Sequence, residues 1–200
     1  MPKIVDHAAR RDEIGWAVAR LIEAEGVHAV TVRAAAAAVG FPPSTLRHYF
    51  PNGDQMLAHA LVVVRERQKQ RLAAVTWPEE QRAALREAWL QTLPLDADRL
   101  TETHVWLAAS LTARSDEARR ILADINTGLD RLCDATAQAL TSPDQQAAAA
   151  TALRAFTDGL ALGAIAQPEH FTPERITESL DFYLASTQSR YLLHDLVESY

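Results

Sequence analysis

The stretch from Thr31 to Phe50, TVRAAAAAVGFPPSTLRHYF, leaves this chain few local folds. Thr31 stands where an N-cap belongs, and Val32 to Val39 is a short alanine-rich helical run. Gly40 can take the left-handed conformation that stops a helix, and Pro42-Pro43 sets the chain up to start another. Two short helices joined by a tight turn are therefore predicted, a helix-turn-helix whose second member carries Ser44, Thr45, Arg47 and His48. Such a unit can lay its second helix in a DNA major groove and offer a few side chains to base edges.

The rest of the chain is predicted helical too. Its 200 residues are 48% hydrophobic with only seven glycines, enough for a substantial core and unfavourable to sheet-and-turn architectures. No apolar run approaches the ~18 residues of a membrane span, and the opening MPKIVDHAARRDE lacks the apolar centre of a signal peptide. No membrane partner and a cytoplasmic location are the expectations. Cys133 is the only cysteine, which rules out an intrachain disulfide. The net charge of −6 is unevenly spread. Residues 1–71 hold ten Lys and Arg against seven Asp and Glu, while the remainder holds ten against nineteen. Phosphates would attract the first part and leave the acidic remainder in solvent.

Apolar spacing divides the chain into roughly nine helices with no strand. Ile14, Ala17, Val18, Leu21 and Ile22 mark one face of a helix over 8–25, ended by Gly26, with Val27 and Val30 as anchors before the motif. A longer helix from Asp54 turns Met56, Leu57, Ala60, Leu61 and Val64 inward and becomes basic beyond them. Pro78 is expected in the first turn of a helix carrying Leu85, Ala88, Trp89 and Leu93. A helix near 96–112 is expected to bury Leu100, Leu107 and Leu111, and Ser115-Asp116-Glu117 opens a long one through Cys133. The last pair spans about 143–166 and 173–190, with Thr172 as cap and Pro173 in first position. The domains so predicted are 1–53, a three-helix DNA-binding unit, and 54–200, a helical regulatory and dimerisation body.

The residues Ile14, Ala17, Leu21-Ile22, Gly26, Thr31-Val32-Arg33, Ala36, Gly40, Leu46-Arg47-His48-Tyr49-Phe50 and Leu57 resemble the DNA-binding domain of TetR-type transcriptional regulators. The likeness covers the first quarter to third of the chain. Beyond it, the chain is similar to the family in helix count and in an Asp158-Gly159-Leu160 helix, proline loop and last helix. It implies an all-α fold, with an N-terminal helix-turn-helix domain and a C-terminal helical domain for ligand binding and dimerisation. Arg33, Ser44, Thr45, Arg47 and His48 would contact DNA, with Thr31 and Pro43 at the starts of the two helices. Tyr49 would steady the recognition helix or touch phosphate. Arginine suits guanine or phosphate, and Ser and Thr hydroxyls suit either. Two departures stand out: Arg47 replaces a common tyrosine, and Gly53 replaces a common lysine just before the fourth helix.

In the body, Trp89, His104, Trp106 and Asn126 fall on helices that surround a ligand cavity in the family, though tryptophans at helical spacing equally suit a plain core. Gly159 and Gly163, four apart, make a strip that another helix can approach closely. A homodimer through the last two helices follows, with intrachain packing as the alternative. Asp130, Cys133 and Asp134 lack a histidine at a telling spacing, so no metal is expected. No phosphate loop, nucleophile elbow or HExxH motif is present, so neither enzyme activity nor a cofactor is expected. The leading expectation is a homodimeric repressor of a palindromic double-stranded DNA operator, released by a small-molecule effector. The alternative is a helical small-molecule-binding or interaction protein that has little DNA affinity because of Gly53.

Overall fold

The computed structural model describes residues 7–198, with side chains for residues 7–185. Among them are nine α-helices, one 3₁₀ turn over Val27–Ala29, and no strand. The helices are α1 (His7–Glu25), α2 (Val32–Ala38), α3 (Pro43–Tyr49), α4 (Gly53–Ala73), α5 (Gln81–Thr92), α6 (Ala97–Thr112), α7 (Asp116–Leu140), α8 (Gln146–Ala166) and α9 (Pro173–Glu198). They divide into two compact units, residues 1–70 with 100–125, and residues 71–99 with 126–200, the boundaries falling within α4, α6 and α7.

In the first unit, one apolar core joins Ile14, Val18 and Ile22 of α1, Leu46 of α3, Phe50 just beyond it, and Met56 and Leu61 of α4. Ala35 and Ala36 of α2 are buried in the same core, so the alanine run works as a thin face that lets α2 sit close to its neighbours. Thr31 caps α2, its hydroxyl accepting the Ala34 N–H at 3.1 Å. Gly40 adopts φ +68° and lets the chain turn out of α2. Asn52 caps α4 by accepting the Gln55 N–H at 3.0 Å. Gly53 has a local reason. A Cβ there would lie 2.9 Å from the Val30 carbonyl oxygen, so a side chain would push the start of α4 off the loop that precedes α2.

Two expectations need correction. The helix expected from Pro78 begins instead at Gln81, because the Glu80 carboxylate accepts the Arg82 and Ala83 N–H groups at 2.9 and 2.6 Å and caps α5 there. On α6 the row Thr101, Val105 and Ala109 is buried, whereas Leu111 is 76% exposed and Leu107 only partly covered. Small side chains face the core because α1 passes close: the Thr101 hydroxyl donates to the Glu23 carboxylate at 2.5 Å. The leucine row lies roughly opposite on the helix.

The second unit packs Trp89 of α5 with Leu93 just beyond it, Cys133 and Ala137 of α7, Leu153 and Leu160 of α8, and Ile176 and Leu180 of α9 out of solvent. Thr172 caps α9 through the Arg175 N–H, and Pro173 takes the first helical position, as expected. The glycine strip on α8 divides. Gly159 faces open space, but a Cβ on Gly163 would meet the Phe171 ring at 2.7 Å, so Gly163 serves packing within the chain. Gly163→Ala should therefore destabilise by about 1–3 kcal/mol through overpacking. Gly128→Ala, on a helix position with no neighbour within 4 Å, should stabilise by about 0.5–1 kcal/mol. Urea denaturation of both variants measures the opposite signs, and a neutral Gly163→Ala would remove the steric argument.

Candidate nucleic-acid interface

Seven residues of α3 divide cleanly between inside and outside. Leu46 is fully buried, and Phe50 just past the helix end is buried with it. Pro43, Ser44, Thr45, Arg47 and His48 are exposed. Pro43 is the first residue of the helix and has no N–H to lose there. Thr31 and Arg33 on and beside α2 are exposed as well. The guanidinium groups of Arg33 and Arg47 meet no acceptor among the described residues. The fold thus brings the sequence-predicted reader residues to the surface on and beside two consecutive short helices; the Thr31 hydroxyl is used as a cap, while the side-chain polar atoms of Arg33, Ser44, Thr45, Arg47 and His48 are unspent among the described residues.

What holds α3 in place comes largely from α1. The Arg11 guanidinium donates to the Tyr49 carbonyl oxygen at 3.1 Å, one of the end carbonyls that a helix leaves without an intrahelical donor. The same guanidinium lies 4.5 Å from the centre of the Phe50 ring. His7 Nδ1 sits 3.1 Å from the Tyr49 hydroxyl, and His48 packs edge-on to the Tyr49 ring. Tyr49 is half-buried and its hydroxyl meets His7 at the surface of the same unit. Arg11 and His7 were not singled out from the sequence. Their signal was the HAARR run at the start of α1, legible only once that start is known to lie beside the end of α3.

Behind α3, His59 of α4 packs against the Phe50 ring at 5.1 Å and its Nε2 lies 3.2 Å from Asp12 Oδ1. Burial is the main cause of a lowered His59 pKa, with the Arg11 charge adding to it; Asp12 opposes both. Burial also lowers His104 on α6, opposed by Glu23.

The four residues expected at a ligand cavity do not share an environment. Trp89 is 1% exposed and its indole N–H donates to the Thr136 hydroxyl at 3.0 Å, which in turn donates to the Leu132 carbonyl at 2.7 Å. It is a satisfied core residue of the second unit. Asn126, also in that unit, accepts a hydrogen bond from Arg154 through its side-chain oxygen at 2.9 Å. His104 and Trp106 belong to the first unit and are half-buried there. Arg154 gathers Asn126, Asp130 at 2.6 Å and Asp158 at 2.9 Å. Burial pushes the neighbouring Cys133 thiol up to about 11. Among the described residues no group of His, Cys, Asp or Glu is placed to hold a metal ion, and no helix is long and apolar enough to cross a membrane.

Comparison with known proteins agrees with this anatomy. The profile for bacterial regulatory proteins of the tetR family matches residues 17–60, and that for the C-terminal part of BetI-type transcriptional repressors matches residues 81–189. The chain belongs to the TetR family of DNA-binding transcriptional regulators. It is 29% identical over 184 residues to the HTH-type transcriptional regulator PksA of Bacillus subtilis (strain 168), covering 88% of each chain. It is similar to the crystal structure of a transcriptional regulator from Rhodococcus sp. Rha1, with a TM-score of 0.73 at 29% identity over 90% of this chain and 96% of that one. It is also similar to the multidrug binding protein EbrR complexed with ethidium, with a TM-score of 0.59 at 25% identity over 87% of this chain and 98% of that one.

The histidines give a stability test. Because His59 and His104 have folded pKa values below 6.5, the unfolded chain binds more protons than the native one as pH falls through 6.5. Their effect on stability is absent well above 6.5, grows as pH falls to the lowered values, and then levels off as a loss. Urea midpoints at pH 7.5 and 5.5 should fall less in the His59→Gln, His104→Gln double variant than in the parent. Equal falls would show that neither histidine resists protonation in the folded state.

Proposed function

We propose that this regulator acts in the cytoplasm as a homodimeric repressor that reads a palindromic operator and releases it when a small molecule binds the helical body. The exposed row Ser44, Thr45, Arg47 and His48 on α3, with Arg33 on α2, carries this reading. These are the side-chain types that contact base edges and phosphates, and they stand unspent on a helix short enough to enter a major groove. Half-sites about one helical turn apart are the geometric expectation for two copies. The complex of EbrR with ethidium supports an effector role for this fold's helical body. Release requires the effector to bind one separation of the recognition helices more tightly than the other.

The two arginines have different tasks in this proposal. Arg47 on α3 reaches a base edge, and Arg33 on α2 reaches backbone. Arg47→Ala should then cost about 1–3 kcal/mol and relax preference at one operator position, whereas Arg33→Ala should weaken all sequences alike and lower the salt slope by about one. Titrations against operator variants at several salt concentrations distinguish these signatures. If neither substitution changes binding at any salt, the reader assignment is wrong.

Dimerisation through α8 and α9 is supported by apolar surface. Phe182 of α9 is 76% exposed and shares a surface with Phe156 and Tyr183, whose rings stack at 4.7 Å, and Leu162 of α8 is 50% exposed. Large exposed apolar side chains grouped on one surface mark an interaction site. Gly159 adds an open approach on the same helix. Phe182→Glu should shift sedimentation toward monomer and weaken operator binding in step. An intact dimer with unchanged dissociation would move the interface elsewhere.

A further inference from the structure

Between α5, α7 and α9 the second unit contains a cleft of about 320 Å³ that none of the sequence-predicted ligand residues lines. That volume lies at the lower end of small-molecule sites, roughly 300–1,000 Å³. Its walls are mainly apolar, with Leu85, Leu140 and Leu184 contributing, and Thr136 forms part of the lining. Thr136 is the acceptor of the buried Trp89 N–H, so an occupant would touch the partner of that indole.

The charged groups at the cleft are unequally committed. Arg86 and Asp181 satisfy each other through a two-pronged pair between α5 and α9, with the second contact at 2.8 Å. Glu80 gives both carboxylate oxygens to the first N–H groups of α5. Arg82 is different. Its guanidinium makes one hydrogen bond, to the Leu184 carbonyl at 3.1 Å, and meets no carboxylate within ion-pair distance among the described residues. The positive end of the α5 dipole is already met by the Glu80 carboxylate, so the attraction for an anionic head rests on Arg82. Two carboxylates are therefore spent locally, while one arginine keeps donors available beside an apolar slot.

We propose that this cleft binds an alkyl carboxylate, its headgroup on Arg82 and its chain along Leu85, Leu140 and Leu184. The inference rests on the effector reading above and gives that effector a chemical class. A carboxylate accepts two N–H groups of one guanidinium side by side, which a neutral or cationic head cannot do. The apolar chain supplies burial, and the head supplies choice. An entering carboxylate also competes with Asp181 for Arg86, so the Arg86–Asp181 pair sets a threshold for binding.

Calorimetric titration of the full-length protein with decanoate, decanol and decyltrimethylammonium tests this directly. Decanoate should bind most tightly. Arg82→Gln should weaken it roughly 10- to 100-fold, Arg82→Lys should restore part of the loss, and Asp181→Asn should tighten it by freeing Arg86. Circular dichroism confirms that each variant is folded. In the parent, binding should also alter Trp89 fluorescence, and Trp89→Phe should abolish that component. Absence of decanoate binding, equal binding of all three heads, or an Arg82→Gln affinity equal to the parent's would overturn the proposal. An operator complex dissociated by some other compound but indifferent to decanoate would overturn the cleft assignment and leave the effector reading standing. Decanoate binding that follows the Arg82 and Asp181 series without altering operator affinity would support the cleft and count against its regulatory role.

Discussion

A seven-residue helix does not hold its shape in water, because the cost of nucleating it exceeds what so few hydrogen bonds return. The recognition helix α3 is that short, so everything the reader does depends on Leu46 and Phe50 being gripped by the core of the first unit. With those two buried, the remaining residues of the helix have no choice of face. Arg11 completes the constraint at the C-terminal end of α3 by supplying a charged donor to a terminal carbonyl and covering the Phe50 ring. The exposed polar row is thus rigid without spending any of its own polar groups on rigidity. That is the preorganisation a base-reading surface needs, since side chains fixed by internal hydrogen bonds would have to break them to reach DNA.

The helix-turn-helix geometry was legible in the sequence because its signals are local. Thr31, Gly40, Pro42-Pro43 and Thr172-Pro173 each fix a boundary through the backbone of one or two residues, and each lies where its chemistry placed it. The same logic failed at Pro78, where a proline compatible with a first turn was outcompeted two residues later by Glu80, whose carboxylate satisfies two N–H groups at once. On α6 the spacing of Leu100, Leu107 and Leu111 described a stripe, but the core side is the row of Thr101, Val105 and Ala109. Period alone cannot reveal that a close-packed contact prefers small residues over large ones. Gly163 shows the same limit. Its spacing from Gly159 suggested one helix-contact strip, and only the position of Phe171 assigns it to intrachain packing.

Long-range polar partners were beyond sequence reasoning altogether. Arg11 with Tyr49, Trp89 with Thr136, Arg86 with Asp181 and Arg154 with Asn126 join residues far apart in the chain, and no periodicity encodes which donor finds which acceptor. Trp89 illustrates the consequence. An aromatic on a body helix reads equally as cavity wall or core until its N–H is traced, and here the donor is already satisfied indoors. The candidate cleft is defined by the opposite condition, an arginine whose donors are incompletely used beside apolar surface.

The charge distribution adds a requirement on how the reader can work. Few basic side chains project from α2 and α3, chiefly Arg33 and Arg47 with His48 beside them, and the second part of the chain is strongly acidic. Each neutralised phosphate contributes to affinity by releasing counterions, so a single copy with so few cations gains little from the backbone alone. In the proposed dimer the second half-site is engaged at a high effective concentration, and its contribution depends on the spacing of the two α3 helices matching one turn of DNA. Affinity is then concentrated in a geometric condition rather than in charge. A change of separation too small to break either copy's contacts one at a time is enough to prevent both from being made together. A modest coupling free energy, of the ~1–3 kcal/mol typical between sites, can therefore switch binding. A reader covered in lysines would lose that sensitivity, since non-specific attraction would hold it on DNA in either state.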